Sequence, residues 1–285
     1  VVSLLTPDRN SNYEDITLGF EKIDHYLDNK GERFLGPVVG RYANRIANGK
    51  FSLDGTEYNL VRNNDGQSLH GGNKGLDRIV WNVDRVTDNE VAFSYPGTVV
   101  FKVVYMLTSD NELKITYNAV TDKPTVVNLS CHAFFNLKGA GNGTVDDHIL
   151  TINSSRITPV DSFLIPTGER VPVEGTPFDF RIPTAIGARL DQDNEQLRFG
   201  KGYDHNWIID KKIEGVEQIA SVYEPTLGRY MEIWSDQPGL QFYGGNFFNG
   251  KVKDKYGKPM RFREAIALET QKFPDSPNHP DFPTT

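Results

Sequence analysis

The sequence predicts an all-β protein, a large antiparallel β-sandwich with very little helix. Three observations carry that prediction. Short apolar or alternating runs recur along the chain at meander spacing, and turn pairs such as Asp54-Gly55 and Asp110-Asn111 separate them. Only Thr184–Gln196 has helical character. Strand following strand without helices between them excludes the alternating α/β plan. No repeat, low-complexity segment or linker divides the chain, so residues 1–285 read as a single domain of about 15 or more strands.

Taken in order, Val1–Leu5 is apolar and stops at Pro7-Asp8, and Ile16–Phe20 is short and strand-like. Phe34–Val39 leads into Gly40–Ile46, and Asn48-Gly49 marks a turn. Lys50–Leu53 and Glu57–Leu60 flank Asp54-Gly55, a strong hairpin signal. Asn63–Gly75 is a polar, Gly-rich loop carrying His70. Ile79–Arg85, Glu90–Tyr95, Val99–Thr108 and Glu112–Val120 form a run of strands. Thr125–Leu137 is a long apolar stretch carrying His132, and His148–Ser154 is another strand. The segment 159–180, with Pro159, Pro166, Pro172 and Pro177, is irregular and must cover a surface rather than pair within a sheet. Strands resume at Trp207–Asp210, Gln218–Glu224, Arg229–Ser235, Leu240–Tyr243 and Ala265–Thr270.

Hydrophobic residues at 38% and charged residues at 24% suit a soluble globular chain with a real core. A net charge of −7 argues against a nucleic-acid partner, whose footprint is basic. No apolar run approaches the roughly 20 residues of a membrane span. The single cysteine, Cys131, excludes an internal disulfide and a thiolate-rich metal site. That fits a cytoplasmic protein; a periplasmic or secreted location stays open if a leader has been removed.

The chemistry-bearing candidates are scattered. Alternation in Ala265–Thr270 puts Glu269 on one face with Ala265 and Ala267, an acid among apolar positions near a strand end. Such a carboxylate is a rim group, or it is paired, or it moves protons. His132 lies in an apolar stretch, where it is either a core histidine bonded to a carbonyl or a proton donor and acceptor poised near neutrality. His70 is followed by Gly71-Gly72, which lets another group approach the loop backbone closely; otherwise it is a solvated loop histidine. Asp204, His205 and Asn206 follow Gly202 at the mouth of a strand and suit hydroxyl recognition or simple turn chemistry. Asn44 and Arg45 can donate to sugar hydroxyls, although an arginine there also reads as a surface residue. Gln241 is an amide inside the apolar strand Leu240–Tyr243, where burial demands partners.

Several motifs are absent or empty of meaning. The chain has no dinucleotide fingerprint, no phosphate loop and no H-E-x-x-H. Asp191–Glu195 has the acid density of a calcium loop but lacks its glycine, and reads as a solvated acidic turn. The N-x-[ST] matches at Asn128, Asn142 and Asn153 are chance, and Asn128 lies in an apolar strand where no glycan fits.

Eight phrases in order over nearly the whole length make the chain resemble the aldose 1-epimerase (galactose mutarotase) family: GRYANRIANG at 40–49, LHGG at 69–72, HAFFNLKG at 132–139, IPTGE at 165–169, GTPFDF at 175–180, GYDHNW at 202–207, PGLQFYGGNF at 238–247 and LETQKFPDSPNHPDFP at 268–283. The resemblance implies a β-supersandwich with an open groove on one sheet. It implies interconversion of the anomers of free hexoses such as galactose and glucose, with no cofactor and no metal, by a monomer or homodimer whose partner is the monosaccharide. By motif position it puts the general base on Glu269, the general acid on His132 and a second active-site histidine on His70. Asn44, Arg45, Asp204 and Gln241 fall on its sugar-binding positions. The chemistry needs a base at the C1 hydroxyl and an acid at the ring oxygen, expected on opposite sides of the ring, with Glu269 ionised at rest and His132 at least partly protonated in the complex.

Two related uses of such a chain are an epimerase of hexose 6-phosphates, for which Arg41 and Arg45 are the candidate phosphate ligands, and a non-catalytic sugar-binding sandwich. The chain departs from the family pattern in three places. Relatives usually carry more strands before VVSLLTPDR and more chain after NHPDFP, so some terminal strands are expected to be lacking. They also have several more residues between Tyr95 and Pro96, and usually Ser or Thr where Ala133 stands.

Overall fold

The computed structural model describes residues 1–27, 33–95 and 98–285, with only the backbone for Tyr95; the shortened Tyr95–Pro96 junction lies outside the described residues. The described chain is all-β, with 22 strands and two short helices, Ile23–Leu27 and Glu195–Gly200. Every ladder between these strands is antiparallel.

The central sheet has six strands, in the order Phe134–Phe135, Ile266–Gln271, Gly239–Tyr243, Asp204–Ile208, Arg156–Thr158 and Val171–Pro172. A second sheet orders Thr184–Ala185, Ile149–Ile152, Glu217–Tyr223 and Tyr230–Ser235. The two sheets pack face to face. Trp207, Leu240, Phe242, Ile266 and Leu268 of the first meet Leu150, Ile152, Ile219 and Val222 of the second in one buried cluster. These are alternate residues of their strands, as a period of two requires, except in Glu217–Tyr223, where a register shift between Gln218 and Ala220 turns both Ile219 and Val222 inward. A third sheet, Leu113–Thr121, Val99–Leu107, Glu90–Tyr95 and Asn82–Val86, has its own smaller core around Phe101 and Val103. The Asp54-Gly55 hairpin forms, joining Lys50–Leu53 to Thr56–Asn59 with both turn residues at positive φ.

Several expected elements differ. Ile16–Phe20 carries only an isolated bridge from Thr17 to Phe135, the strand lying before it at Tyr13–Asp15. The proline-rich segment 159–180 does pair within a sheet: Val171–Pro172 joins Arg156–Ile157 as the edge strand, where a proline is tolerated. Phe34–Val39 is extended only at Val38–Val39. Thr184–Gln196 is no helix: it is a short strand, a 3₁₀ turn at Ile186–Arg189 and a loop, and the helix starts at Glu195. The reason is local. The Asn194 side chain accepts from the Gln196 and Leu197 N–H groups, so this residue of the acidic turn caps a helix start. One further difference shapes the site. Thr125–Leu137 breaks into Ser130–Cys131, which pairs with Val38–Val39, and Phe134–Phe135, which pairs with Ile266–Ala267. His132 stands in the break between two pairings.

Candidate active site

The inner face of the central sheet is apolar; its other face is polar and yet buried. Register places Thr158, Asn206, Gln241 and Glu269 directly opposite one another on four adjacent strands. Directly opposed residues share a sheet face, so the four form one polar row. Asp204 and Gln271, two residues along their strands, extend the same face. Glu269 is 2% exposed, which removes the rim reading. Its Oε2, the Gln241 Oε1, the Asn206 Oδ1 and both amide ends of Gln271 are buried with no hydrogen-bond partner among the described residues. Each such atom costs about 1–3 kcal/mol, so this face is built to receive polar groups rather than to stabilise the fold.

The His132 imidazole turns from the strand break onto the end of this row. Its backbone is fixed on both sides, N–H to Pro37 O at 2.9 Å and O from Gly36 N–H at 2.9 Å. Its Nε2 lies 3.5 Å from Glu269 Oε1. The two groups therefore stand side by side, not across a ring from each other.

His70 arrives from the loop, its ring centroid 5.0 Å from that of His132 and nearly perpendicular to it. It is buried, so the solvated reading falls. His70 and Asn44 both have positive φ and lock onto each other: His70 N–H donates to Asn44 O at 3.0 Å, and Asn44 N–H donates to His70 Nδ1 at 3.0 Å. Gly71, at φ +87°, brings the loop so near Gly40 that a Cβ there would lie 1.9 Å from the Gly40 oxygen. Arg45 is also buried, its Nε on Asn64 Oδ1 at 3.2 Å and its Nη2 3.9 Å from Asp204 Oδ2. Asp204 Oδ1 accepts from Gln241 Nε2 at 2.7 Å. All seven expected residues thus lie in one connected neighbourhood. Arg41 is exposed, and His205 points to the core face against Phe178.

Sequence reasoning missed Gln271 and the role of Asn206. The signal was present: each stands two residues from a chosen acid, on the same face of the same strand.

The protonation pattern reverses the expectation. Burial, then the neighbouring Asp204 charge, pushes the Glu269 carboxyl up to about 8, against a lowering influence from Arg45. Burial likewise pulls His132 down to about 4. His70 is driven well below its ordinary range by burial and by the charges of His132, Arg45 and Arg33. At neutral pH the pair therefore rests with its proton on Glu269 and His132 neutral, because a buried site penalises two charges more than it penalises none.

His70, His132 and Glu269 each offer a ligand atom within 4.8 Å of the others, a set that could hold a metal. The tautomer of His70 works against it. With Nδ1 accepting from the Asn44 N–H, neutral His70 carries its proton on Nε2 and has no lone pair left to give.

Sheet order, core and polar groove define the class of galactose mutarotase-like β-sandwiches. The aldose epimerase homologue from C. elegans superposes with a TM-score of 0.89 at 30% identity, covering 99% of this chain and 86% of that one. The galactose 1-epimerase from Lactobacillus acidophilus gives 0.80 at 27% identity, covering 93% and 79%. The aldose 1-epimerase family matches residues 1–285, and the chain belongs to it. It is 41% identical to the galactose mutarotase of Bos taurus, over 99% of this chain and 82% of that protein. It is 35% identical to the aldose 1-epimerase of Escherichia coli, over 99% and 83%.

Proposed function

We propose that this chain interconverts the α and β anomers of free aldohexoses such as galactose and glucose, with Glu269 as base and His132 as acid. The observation that carries the reading is the 3.5 Å separation of His132 Nε2 and Glu269 Oε1 at the end of a buried polar row. The hydroxyl oxygen O1 and the ring oxygen O5 are both bonded to C1, so two adjacent protein groups can serve both.

In the opening step Glu269 takes the O1 proton, the O1–C1 bond becomes a carbonyl, the C1–O5 bond breaks and O5 takes a proton from His132. Rotation about C1–C2 and the reverse step give the other anomer. The pair holds one proton throughout: on His132 before opening, on Glu269 after it. The resting state, with Glu269 protonated, is therefore the state that faces the open aldehyde. To open a ring, the proton first passes from Glu269 to His132. His70, as an Nε2–H donor, with Asn44, Arg45, Asp204 and Gln241, holds the remaining hydroxyls.

A hexose 6-phosphate finds no arginine pair here, since Arg41 is exposed and Arg45 is engaged with Asn64 and Asp204. The chain works as a single domain, monomeric or homodimeric, in the cytoplasm, with a monosaccharide and neither nucleic acid nor membrane as partner; no helix among the described residues is long and apolar enough to cross a membrane. Polarimetry on freshly dissolved α-galactose tests the reading. Glu269→Gln and His132→Asn should each lose about 10²–10⁴-fold in rate while still binding sugar. Full activity in either variant ends the assignment of that group.

A further inference from the structure

Among the described residues, Phe34 is the one aromatic ring paired with both site histidines. Its ring centroid lies 4.6 Å from that of His70, edge-on, and 5.8 Å from that of His132. With the His70–His132 contact, the three rings close a triangle. The Phe34 segment is also tied to His132 through the main chain. Gly36, at φ +82°, turns the chain so that its N–H reaches both the Phe34 oxygen at 3.1 Å and the His132 oxygen at 2.9 Å.

A clamp holds Phe34 from the other direction. The Arg33 guanidinium sits 4.9 Å from the Phe34 ring centroid. It grips Asp77 through both carboxylate oxygens, at 2.7 and 2.9 Å, and donates to Gly72 O at 2.8 Å, in the loop that carries His70. The His132 Nδ1 is buried and has no hydrogen bond of good geometry. The groups that favour its charged form are two carbonyls, its own and that of Phe34.

We propose that Phe34 is the positioning residue of the acid: its ring sets the angle of the His132 and His70 imidazoles and keeps water off His132 Nδ1, while its carbonyl is the acceptor that Nδ1–H turns to when His132 becomes the imidazolium. The proposal rests on the assignment of His132 as acid. The charged and titratable groups facing His132 are Glu269 from the sheet and His70 from the loop, with Arg45 and Asp204 behind them and Arg33 beyond Phe34; Cys131 precedes it in the chain. Of these, none is removed by changing Phe34. A change in how His132 titrates in such a variant therefore reports water and packing at Nδ1.

The test uses the full chain as Phe34→Ala and Phe34→Tyr, followed by imidazole NMR titration and by kcat and KM across pH. Phe34→Ala should raise the His132 titration by about one pH unit or more, move the acid limb of kcat/KM with it and lower kcat about tenfold, with KM changed less than about threefold. Phe34→Tyr, which keeps the ring, should restore both. If Phe34→Ala does not fold, Asp77→Asn releases the clamp and should move the His132 titration in the same direction. Superimposable titrations and pH profiles in variant and parent overturn the proposal. A parent that shows no mutarotation at all would sink the functional reading instead, and the titrations would still decide the role of Phe34.

Discussion

His132 Nε2 and Glu269 Oε1 lie 3.5 Å apart with both side chains buried, so the two groups titrate as one unit. With Glu269 at about 8 and His132 at about 4, the pair holds a single proton across the interval between. The fraction carrying that proton on His132, the form that opens a ring in the proposed mechanism, is constant over the interval. Below it both groups are protonated and no base remains; above it neither is, and no acid remains. Mutarotation measured as kcat/KM by polarimetry should show a broad plateau bounded near pH 4 and pH 8. A narrow optimum or a sloping mid-range would contradict a one-proton pair.

The same burial makes Glu269 a stability cost. In the folded chain its carboxyl keeps the proton up to about 8, whereas in the unfolded chain it releases it near the ordinary 4.5. Between those values the folded state binds more protons, so the unfolding free energy falls as pH rises. His132, lowered from 6.5 to about 4, contributes the opposite slope: its share of the stability is full above the unfolded value and lost as pH falls. Glu269→Gln removes only the first of these. Its unfolding free energy should match the parent's below about pH 4.5 and exceed it above about pH 8, by on the order of 1–3 kcal/mol, with a correspondingly higher thermal midpoint. Calorimetry at the two ends decides, and a variant less stable than the parent at alkaline pH would refute a strained carboxylate.

How much of this site can be read in the sequence follows from what alternation encodes. Glu269 was placed correctly on a strand face, because a period of two is visible in Ala265–Thr270. That Gln241 lies directly opposite it, and Asn206 beyond, is a matter of register between strands far apart in the chain, which no local pattern carries. His132 was assigned to a continuous apolar strand; hydrophobicity does not reveal that its neighbours on either side pair with different partners. The helix was misplaced because Asn194 was counted among acidic turn residues rather than as a cap. Phe34 escaped because its part depends on contacts with two rings from elsewhere in the chain.

His70 offers a direct test of whether the cluster holds a metal. Its Nδ1 is occupied by the Asn44 N–H at 3.0 Å, which fixes Nε2 as a donor. Mutarotation should therefore be unchanged by exhaustive chelation and by added zinc at equimolar concentration. His70→Gln, whose amide N–H₂ can donate from a similar reach, should retain more activity than His70→Ala. Loss of activity on chelation, restored by a divalent ion, would show that the His70–His132–Glu269 cluster binds a metal after all.

Tyr42 links the two halves of the site without touching either pair. Its hydroxyl donates to Phe273 O at 2.8 Å and accepts from Ser276 N–H at 3.0 Å, both in the turn that follows the Glu269 strand. That turn also grips the Arg45 loop: Asp275 N–H donates to Arg45 O, and Ala47 N–H to Asp275 Oδ1, each at 2.9 Å. Tyr42→Phe keeps the ring but removes two buried hydrogen bonds: the Phe273 carbonyl keeps the Ser276 hydroxyl at 2.8 Å, while the Ser276 N–H is left with only a long 3.4 Å contact to that carbonyl, a loss of about 0.5–1.5 kcal/mol for each bond. The thermal midpoint should fall by several degrees. Because the Arg45 loop is also what positions Asn44, and through it the tautomer of His70, kcat should fall as well, and addition of saturating galactose should recover part of the lost midpoint by binding the folded state. A variant destabilised to that extent with unchanged kcat would mean that Asp275 alone carries the link between strand and loop.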